Sequence, residues 1–326
     1  MKQLARTQRR VLGGTPGTLK RRSRRGTEYW VREYIRVDGR KDDEHIGTVD
    51  SVDAKRLEAV RAEVELARAL AAGSSRLRVL GYQRIDRKPA AVLAALLNRG
   101  LFDAGLVLVG SHAYGALLND CGVIAPAYRT QDIDLARGEP LALALPSGMG
   151  LKQVLDESEL EFFPVPGMPS RRPSASYKLP GAETLAVDLL VPGPVAGEIV
   201  PAPELGAHAQ TIPLLDFLVT GAVGSVILSP NQVVPIKLPA AERFALHKLF
   251  SSQRRGSDRA KGRKDLEQAA ALVTVLEEET PGLLADAWRE MPKTARATLK
   301  RGARAALNIA GDHAEASAFL RKIAKP

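Results

Sequence analysis

Residues 28–37 (EYWVREYIRV) mix aromatic and β-branched side chains with charged ones, the texture of a half-buried strand. Asp38-Gly39 supplies a hairpin turn, and the return strand falls at His45–Val49. Ser51 or Asp53 then caps a helix that the polar–apolar rhythm carries to about Ala72, with Gly73 as its stop. A second helix fits Pro89–Asn98, opened by a proline and closed by Gly100. From Leu101 the rhythm changes to short continuous apolar runs. Leu106–Val109 (LVLV) reads as a buried strand entering a tight turn at Gly110-Ser111, and Ala113–Leu118 as the helix that leaves it. Gln131–Leu135 predicts a second strand and Thr184–Val191 (TLAVDLLV) a third. Between them, Phe162–Pro180 holds five prolines and reads as an exposed irregular loop. Beyond Pro239 the pattern turns helical, over Glu242–Ser252, Lys261–Glu279, Gly282–Glu290, Pro292–Asn308 and Ala314–Ala324. Leu266, Ala269, Ala270, Val273 and Leu276 give the second of these a continuous apolar face.

Charge adds a segment that hydropathy misses. The net charge is +10, and residues 1–27 carry nine basic side chains and no acid. The remaining chain is nearly neutral, so the basicity describes a tail rather than a basic fold. Such a tail is expected to be disordered, either as an electrostatic hand for phosphates or as a passive solvated terminus. An acid-free, Arg-rich leader is also what a transit peptide looks like, although its apolar face is weak. The expected organisation is a basic tail over 1–27, an accessory module of hairpin and helices over 28–100, a core domain over 101–237 and a helical domain over 238–326. The class is α+β. With 45% hydrophobic residues and no apolar run near 20 residues, membrane-spanning and wholly disordered readings fall away. A lone cysteine, Cys121, excludes an internal disulfide framework and agrees with a reducing cytoplasm. Cys121 itself reads as a small core residue.

The chemistry concentrates in three short segments. On a strand, Asp132 and Asp134 project to one face while Ile133 turns to the core. Two carboxylates so close repel unless a cation lies between them, and Asp188, an acid in an otherwise apolar strand, adds a third. Three carboxylates suit Mg²⁺ rather than zinc. Alone, an Asp-X-Asp pair more often caps a turn. Gly110-Ser111 at a strand-to-helix turn can set backbone N–H groups and a hydroxyl against a phosphate. No dinucleotide-binding glycine pattern or phosphate-binding P-loop occurs, and the five histidines show no metal-ligand spacing. His112 reads as a surface residue at a helix N-terminus.

Together VLVGSHAYGALL (107–118), QDIDLA (131–136) and LAVDLLV (185–191) resemble the three motif segments of the metal-dependent nucleotidyltransferases of the polymerase-β type. The chain looks like the bacterial stand-alone nucleotidyltransferase-domain proteins, from the hairpin near Trp30 to the helix around Asp265. The resemblance implies a small mixed sheet with flanking helices. It implies that Gly110 and Ser111 hold the β- and γ-phosphates of a nucleoside triphosphate. It further implies that Asp132 and Asp134 coordinate two Mg²⁺ ions, with Mn²⁺ as a substitute, and that Asp188 completes the catalytic metal's site. The interval from Ser111 to Asp132 is longer than the family's common spacing, so Tyr114 and Arg129 carry no assigned counterpart.

The helical region supplies cations. Lys248 lies at the edge of an apolar helix face beside Ala241, Phe244 and Ala245, where it either reaches a triphosphate or snorkels to solvent. HKLFSSQRR (247–255) and KGRKDLEQA (261–269) resemble segments of abortive-infection nucleotidyltransferase toxins. That likeness makes Lys248 the leading triphosphate ligand and Lys264 and Asp265 further site candidates. It also implies a cognate antitoxin as partner. Lys293, Arg296, Lys300 and Arg304 form a stripe on one helix face, which with the tail favours an RNA acceptor, a tRNA 3′ end among the options. A solvated helix surface is the plain alternative. A small-molecule or protein acceptor, and a non-catalytic nucleotide- or nucleic-acid-binding module, are the rival readings.

Overall fold

A computed structural model describes residues 1–125, 130–142, 145–146, 148–166, 173–181, 185–256 and 258–325. At the N-terminus, α1 (Lys2–Arg6) and β1 (Thr18–Arg24) lie where disorder is expected. β1 pairs antiparallel with β2 (Thr27–Ile35), which pairs with β3 (Lys41–Thr48), so the hairpin becomes a three-stranded sheet. Arg25 and Gly26, the two residues of the β1–β2 loop, both take positive φ, as a primed hairpin turn requires. The tail is therefore corrected to folded structure. Ala5, Val11 and Leu12 are buried, and Gln8 and Gln232 tie the segment to its surroundings through bonds to the Val233 and Leu12 carbonyls. Helix α2 (Ala54–Val79), capped by the Asp53 carboxylate, runs past Gly73. Gly73 is a packing position, since a Cβ there would overlap the Met1 side chain, and Gly81 with positive φ follows the actual end. Helix α3 (Arg87–Asn98) is buried along most of its length.

The main sheet is built from the apolar runs. Strand β4 (Val107–Val109) leads directly into α4 (Gly110–Asp120), followed by β5 (Asp132–Ala136) and α5 (Leu151–Asp156). The proline-rich stretch contributes β6 (Phe163–Pro164) and β7 (Ser176–Lys178), a short antiparallel pair where irregular loop is expected. Residues 167–172 of it lie outside the described residues. Then come β8 (Ala186–Pro192), β9 (Ile199–Ala202), β10 (Ala207–Ile212), α6 (Leu215–Val219), and the hairpin of β11 (Val223–Leu228) and β12 (Val233–Leu238). The order β4-β5-β8-β10-β9 is mixed: β5, β8 and β10 run parallel, while β4 and β9 are antiparallel at the edges and β7 adds to β8. Ile133, Val187 and Leu189 point into the core with no exposure. The α+β class and the small mixed sheet stand.

Five helices close the chain: α7 (Ala241–Ser252), α8 (Arg259–Glu279), α9 (Leu283–Glu290), α10 (Lys293–Ala310) and α11 (Ala314–Ala324). One apolar core runs without interruption from the sheet into these helices, joining Leu108, Ile133 and Leu189 to Phe244, Leu272 and Leu320. Helices α10 and α7 meet at Gly302, where a Cβ would overlap the Leu249 backbone. Lys248 on α7 lines the same cavity as the strand residues Asp132, Asp134 and Asp188. Among the described residues, no helix is long and apolar enough to cross a membrane.

Candidate active site

Strand register decides the acids' placement. Asp134 of β5 stands opposite Asp188 of the parallel β8, and opposite Val109 at the end of antiparallel β4. Beyond Val109 the chain turns sharply at Gly110 (φ 70°), where a Cβ would overlap the Asp134 carboxylate. Only glycine fits there, for both reasons. Among the described residues no side chain caps the first turn of α4, which leaves its leading backbone N–H groups beside Ser111 open to an anion. Ser176 on β7 stands opposite Asp188 in the antiparallel pairing with β8 and works to lower the Asp188 pKa. No sequence signal marks Ser176, because its role depends on an antiparallel pairing inside a proline-rich stretch.

A cavity of about 400 Å³ gathers these groups. Gly110, Ser111, Asp132, Asp134 and Asp188 form one wall, and Lys248, Arg254, Arg255, Lys261, Lys264 and Asp265 form the other. Every sequence-predicted site residue thus reaches one space. Burial, then the neighbouring Asp188 charge, pushes the Asp134 carboxyl up to about 6 against the pull of Lys248. Asp188 is raised too, by burial first and by the Asp132 charge, with Ser176 and the Lys261 charge opposing. Among the described residues no three acidic, histidine or cysteine side chains are already drawn together around a metal position. The carboxylates face one cavity as an open, mutually repelling set.

The cationic wall is organised by one acid. Asp265, buried in α8, accepts from Lys248 Nζ and Arg255 Nε, each at 2.7 Å. Burial works to raise its carboxyl, but the Lys248 and Arg255 charges outweigh that and hold it below the usual range. Lys248 is buried with its Nζ 5.3 Å from the Phe244 ring centroid, so it does not snorkel to solvent. Burial and the Lys248 charge lower the Lys264 pKa. Arg254 lies over the Phe250 ring, and Arg255 grips Asp265. Neither was singled out from sequence, although the Arg-Arg pair closes the HKLFSSQRR segment.

Other expectations change. His112 is buried in α4, not at the surface, and burial pushes its pKa down to about 4. His247 is buried against the site, with its pKa lowered to about 4 by burial first and by Lys248 next. Tyr114 stacks on Phe244, their centroids 6.3 Å apart. Arg129 lies outside the described residues. The stripe on α10 is half committed to structure. Arg296 donates to the Met291 and Arg289 carbonyls, and Arg304 to the Ala324 carbonyl. The N-terminal cations are likewise partly paired: Lys2 with Asp120, Arg10 with Glu44 and Glu63, Lys20 and Arg22 with Glu33.

An open set of carboxylates on a sheet, a glycine turn feeding a helix and a facing wall of cations define a protein that handles phosphate esters. A family model described as nucleotidyltransferase matches residues 87–293, more than half of the chain, and the chain belongs to that family. It is a nucleotidyltransferase enzyme, and a nucleoside triphosphate is its substrate. Neither the comparison with curated proteins nor that with solved structures returned a match.

Proposed function

We propose that the enzyme moves a nucleoside monophosphate from a nucleoside triphosphate to an acceptor hydroxyl on RNA, using Mg²⁺ held by Asp132, Asp134 and Asp188. One observation carries this reading: β5 and β8 set Asp134 and Asp188 in direct register, with Gly110 packed against the Asp134 carboxylate. The donor set fits the metal. Its oxygens are hard, and Asp134 and Asp188 hold their protons more tightly than ordinary aspartates because burial and mutual repulsion outweigh the nearby cations. When bound, two such ions, or Mn²⁺ in their place, lower the pKa of the attacking hydroxyl and neutralise charge on the leaving pyrophosphate.

The chain's own groups do the rest. The α4 N-terminus and the Ser111 hydroxyl receive the β- and γ-phosphates. Lys248 and Lys264 add charge across the cavity, and Asp265 orients Lys248 rather than touching nucleotide. The acceptor hydroxyl's oxygen bonds to the α-phosphorus as the bond to pyrophosphate breaks, and its proton passes to an oxygen of Asp188. Positioning and charge suffice for this transfer.

RNA as acceptor is supported by basic faces that remain after internal pairing. Arg24 and Arg25 are exposed at the tip of the β1–β2 hairpin, and Lys300, Lys322 and Lys325 surround Trp288 without an acid in that hollow's described lining. The likeness of residues 247–269 to abortive-infection toxins extends the proposal to a cytoplasmic toxin restrained by an antitoxin.

Incubating the enzyme with Mg²⁺, each α-labelled nucleoside triphosphate, and separate RNA, protein and small-molecule fractions tests the reading. Label is expected in RNA, lost on chelation and in Asp132→Ala. Label in another fraction reassigns the acceptor, and undiminished transfer by Asp132→Ala removes the metal assignment.

A further inference from the structure

A second cavity, of about 460 Å³, lies beside the first and shares Ser111 and Thr130 with it. Its floor is the α4 face that presents His112, Gly115 and Asn119, spaced so that a helix aligns them. Its opposite wall is the segment from Arg78 to Asp86 that joins α2 to α3. Gln131, the neighbour of Asp132, also lines it. The second cavity thus meets the catalytic space at Ser111 and Thr130, next to Gln131.

The wall is rigid. Gln83 N–H donates to Asn119 Oδ1 at 2.7 Å, Asn119 Nδ2 returns a bond to the Gln83 carbonyl at 2.9 Å, and Ile85 N–H donates to the Leu228 carbonyl at 2.9 Å. Two polar groups inside it are left unspent. His112 is 8% exposed and its Nε2 has no hydrogen-bond partner among the described residues. Arg84 Nε is buried and likewise unpartnered. A buried donor or acceptor without a partner costs stability, so two of them lining one cavity mark a place where a ligand completes the bonding.

Charge separates this cavity from the first. Arg78 and Arg84 face Asp86, the one acid in its described lining, whereas several cations crowd the catalytic space. A triphosphate belongs with the denser positive wall. One phosphodiester and a sugar match two arginines and a carboxylate that accepts from a sugar hydroxyl. The volume suits a single nucleotide unit and excludes a folded polymer.

We propose that this cavity is the acceptor subsite and seats the terminal nucleotide of an RNA strand. Its phosphate lies on Arg78 and Arg84, its sugar near Asp86 and His112, and its free hydroxyl points past Ser111 and Thr130 to the carboxylates. The inference rests on the proposed transfer to RNA and names the residues that select the acceptor. The hydroxyl oxygen forms the new bond to the α-phosphorus, pyrophosphate leaves, and the proton goes to Asp188.

The test uses the full chain and two probes measured separately by fluorescence anisotropy: a labelled 5′-phosphorylated RNA trinucleotide without triphosphate, and a fluorescent non-hydrolysable triphosphate without RNA. Arg84→Gln removes the guanidinium whose Nε lacks a partner among the described residues. Gly115→Leu fills the floor, since a Cβ there meets Gln83 Cβ at an ordinary 3.6 Å and leucine is the better helix former. Both variants are expected to bind the trinucleotide at least about tenfold more weakly and the triphosphate within about twofold of wild type. In turnover, the KM for RNA should rise with that for triphosphate unchanged. Trinucleotide affinity within twofold of wild type in both folded variants overturns the proposal, as does a matching fall in triphosphate affinity. If wild type binds no trinucleotide, the subsite assignment fails, while the labelling experiment reports separately whether transfer to another acceptor survives.

Discussion

Asp134 shows how one side chain is shaped by its surroundings. Its carboxyl titrates at about 6 in the fold against 3.8 as a free aspartate, because burial and the facing Asp188 disfavour the charge. Below about pH 4 both folded and unfolded forms carry the proton and there is no penalty. As pH rises from 4 to 6 the unfolded chain ionises first, so stability falls, and above 6 the full cost remains. Asp134→Asn should therefore raise the Tm of the metal-free protein by a few degrees at pH 7.5, a gain that disappears near pH 4. Millimolar Mg²⁺ should raise the wild-type Tm and leave the Asn variant unmoved, while transfer by that variant falls about a hundredfold or more. Calorimetry across pH, with and without chelator, checks the pair of effects. A variant that melts below wild type at pH 7.5 contradicts the repulsion argument. Asp132, Asp134 and Asp188 stand out in the sequence as candidates because they are acids on or beside apolar strands. Their register against one another does not, since pairing across strands leaves no mark on local sequence.

Strand β1 illustrates the opposite case. TLKRRSR holds one apolar residue, and its exposure along both faces gives no alternation to detect. It is ordered by its partner: backbone pairing to β2, Arg21 lying 4.9 Å from the Trp30 ring centroid, and Lys20 and Arg22 reaching Glu33. Charge density alone suggested disorder, because composition cannot see a neighbouring strand. Deleting residues 1–27 removes β1 and the buried Val11 and Leu12, so it should cost several kcal/mol and lower the Tm by about 5–10 °C. Thermal melts of full and truncated protein measure this. An unchanged Tm would return the segment to a passive tail. The helices of the C-terminal half, in contrast, match their sequence pattern closely, because an apolar stripe of helical period is itself the reason each one packs.

Across the whole chain, the sheet and the C-terminal helices act as one body through a shared core. Gly302 is where this matters for the site. It lets α10 press on the backbone of α7 at Leu249, the residue after Lys248. Gly302→Ala should push the two helices apart at a cost of about 1–3 kcal/mol, seen as a Tm lower by a few degrees. Because α7 carries Lys248, the KM for triphosphate should also rise, by about three- to tenfold, with less effect on the KM for acceptor. Steady-state kinetics with each substrate varied would check the split, and equal changes in both constants would place the effect on general destabilisation instead.

Local sequence determined the class, the positions of most helices and strands, the three acids, the glycine turn and the candidate lysine. Each rests on a period, a breaker or a charge within a few residues. The proposed roles of Asp265, Ser176, His112 and Arg84 came from elsewhere. Asp265 holds two cations because α7 and α8 pack side by side, and Ser176 meets Asp188 because β7 joins β8. Among the described residues, His112 and Arg84 leave buried polar atoms without partners where α4 faces the loop before α3. Contacts between distant segments are set by how apolar faces are shared, and no single segment records which partner its face will find.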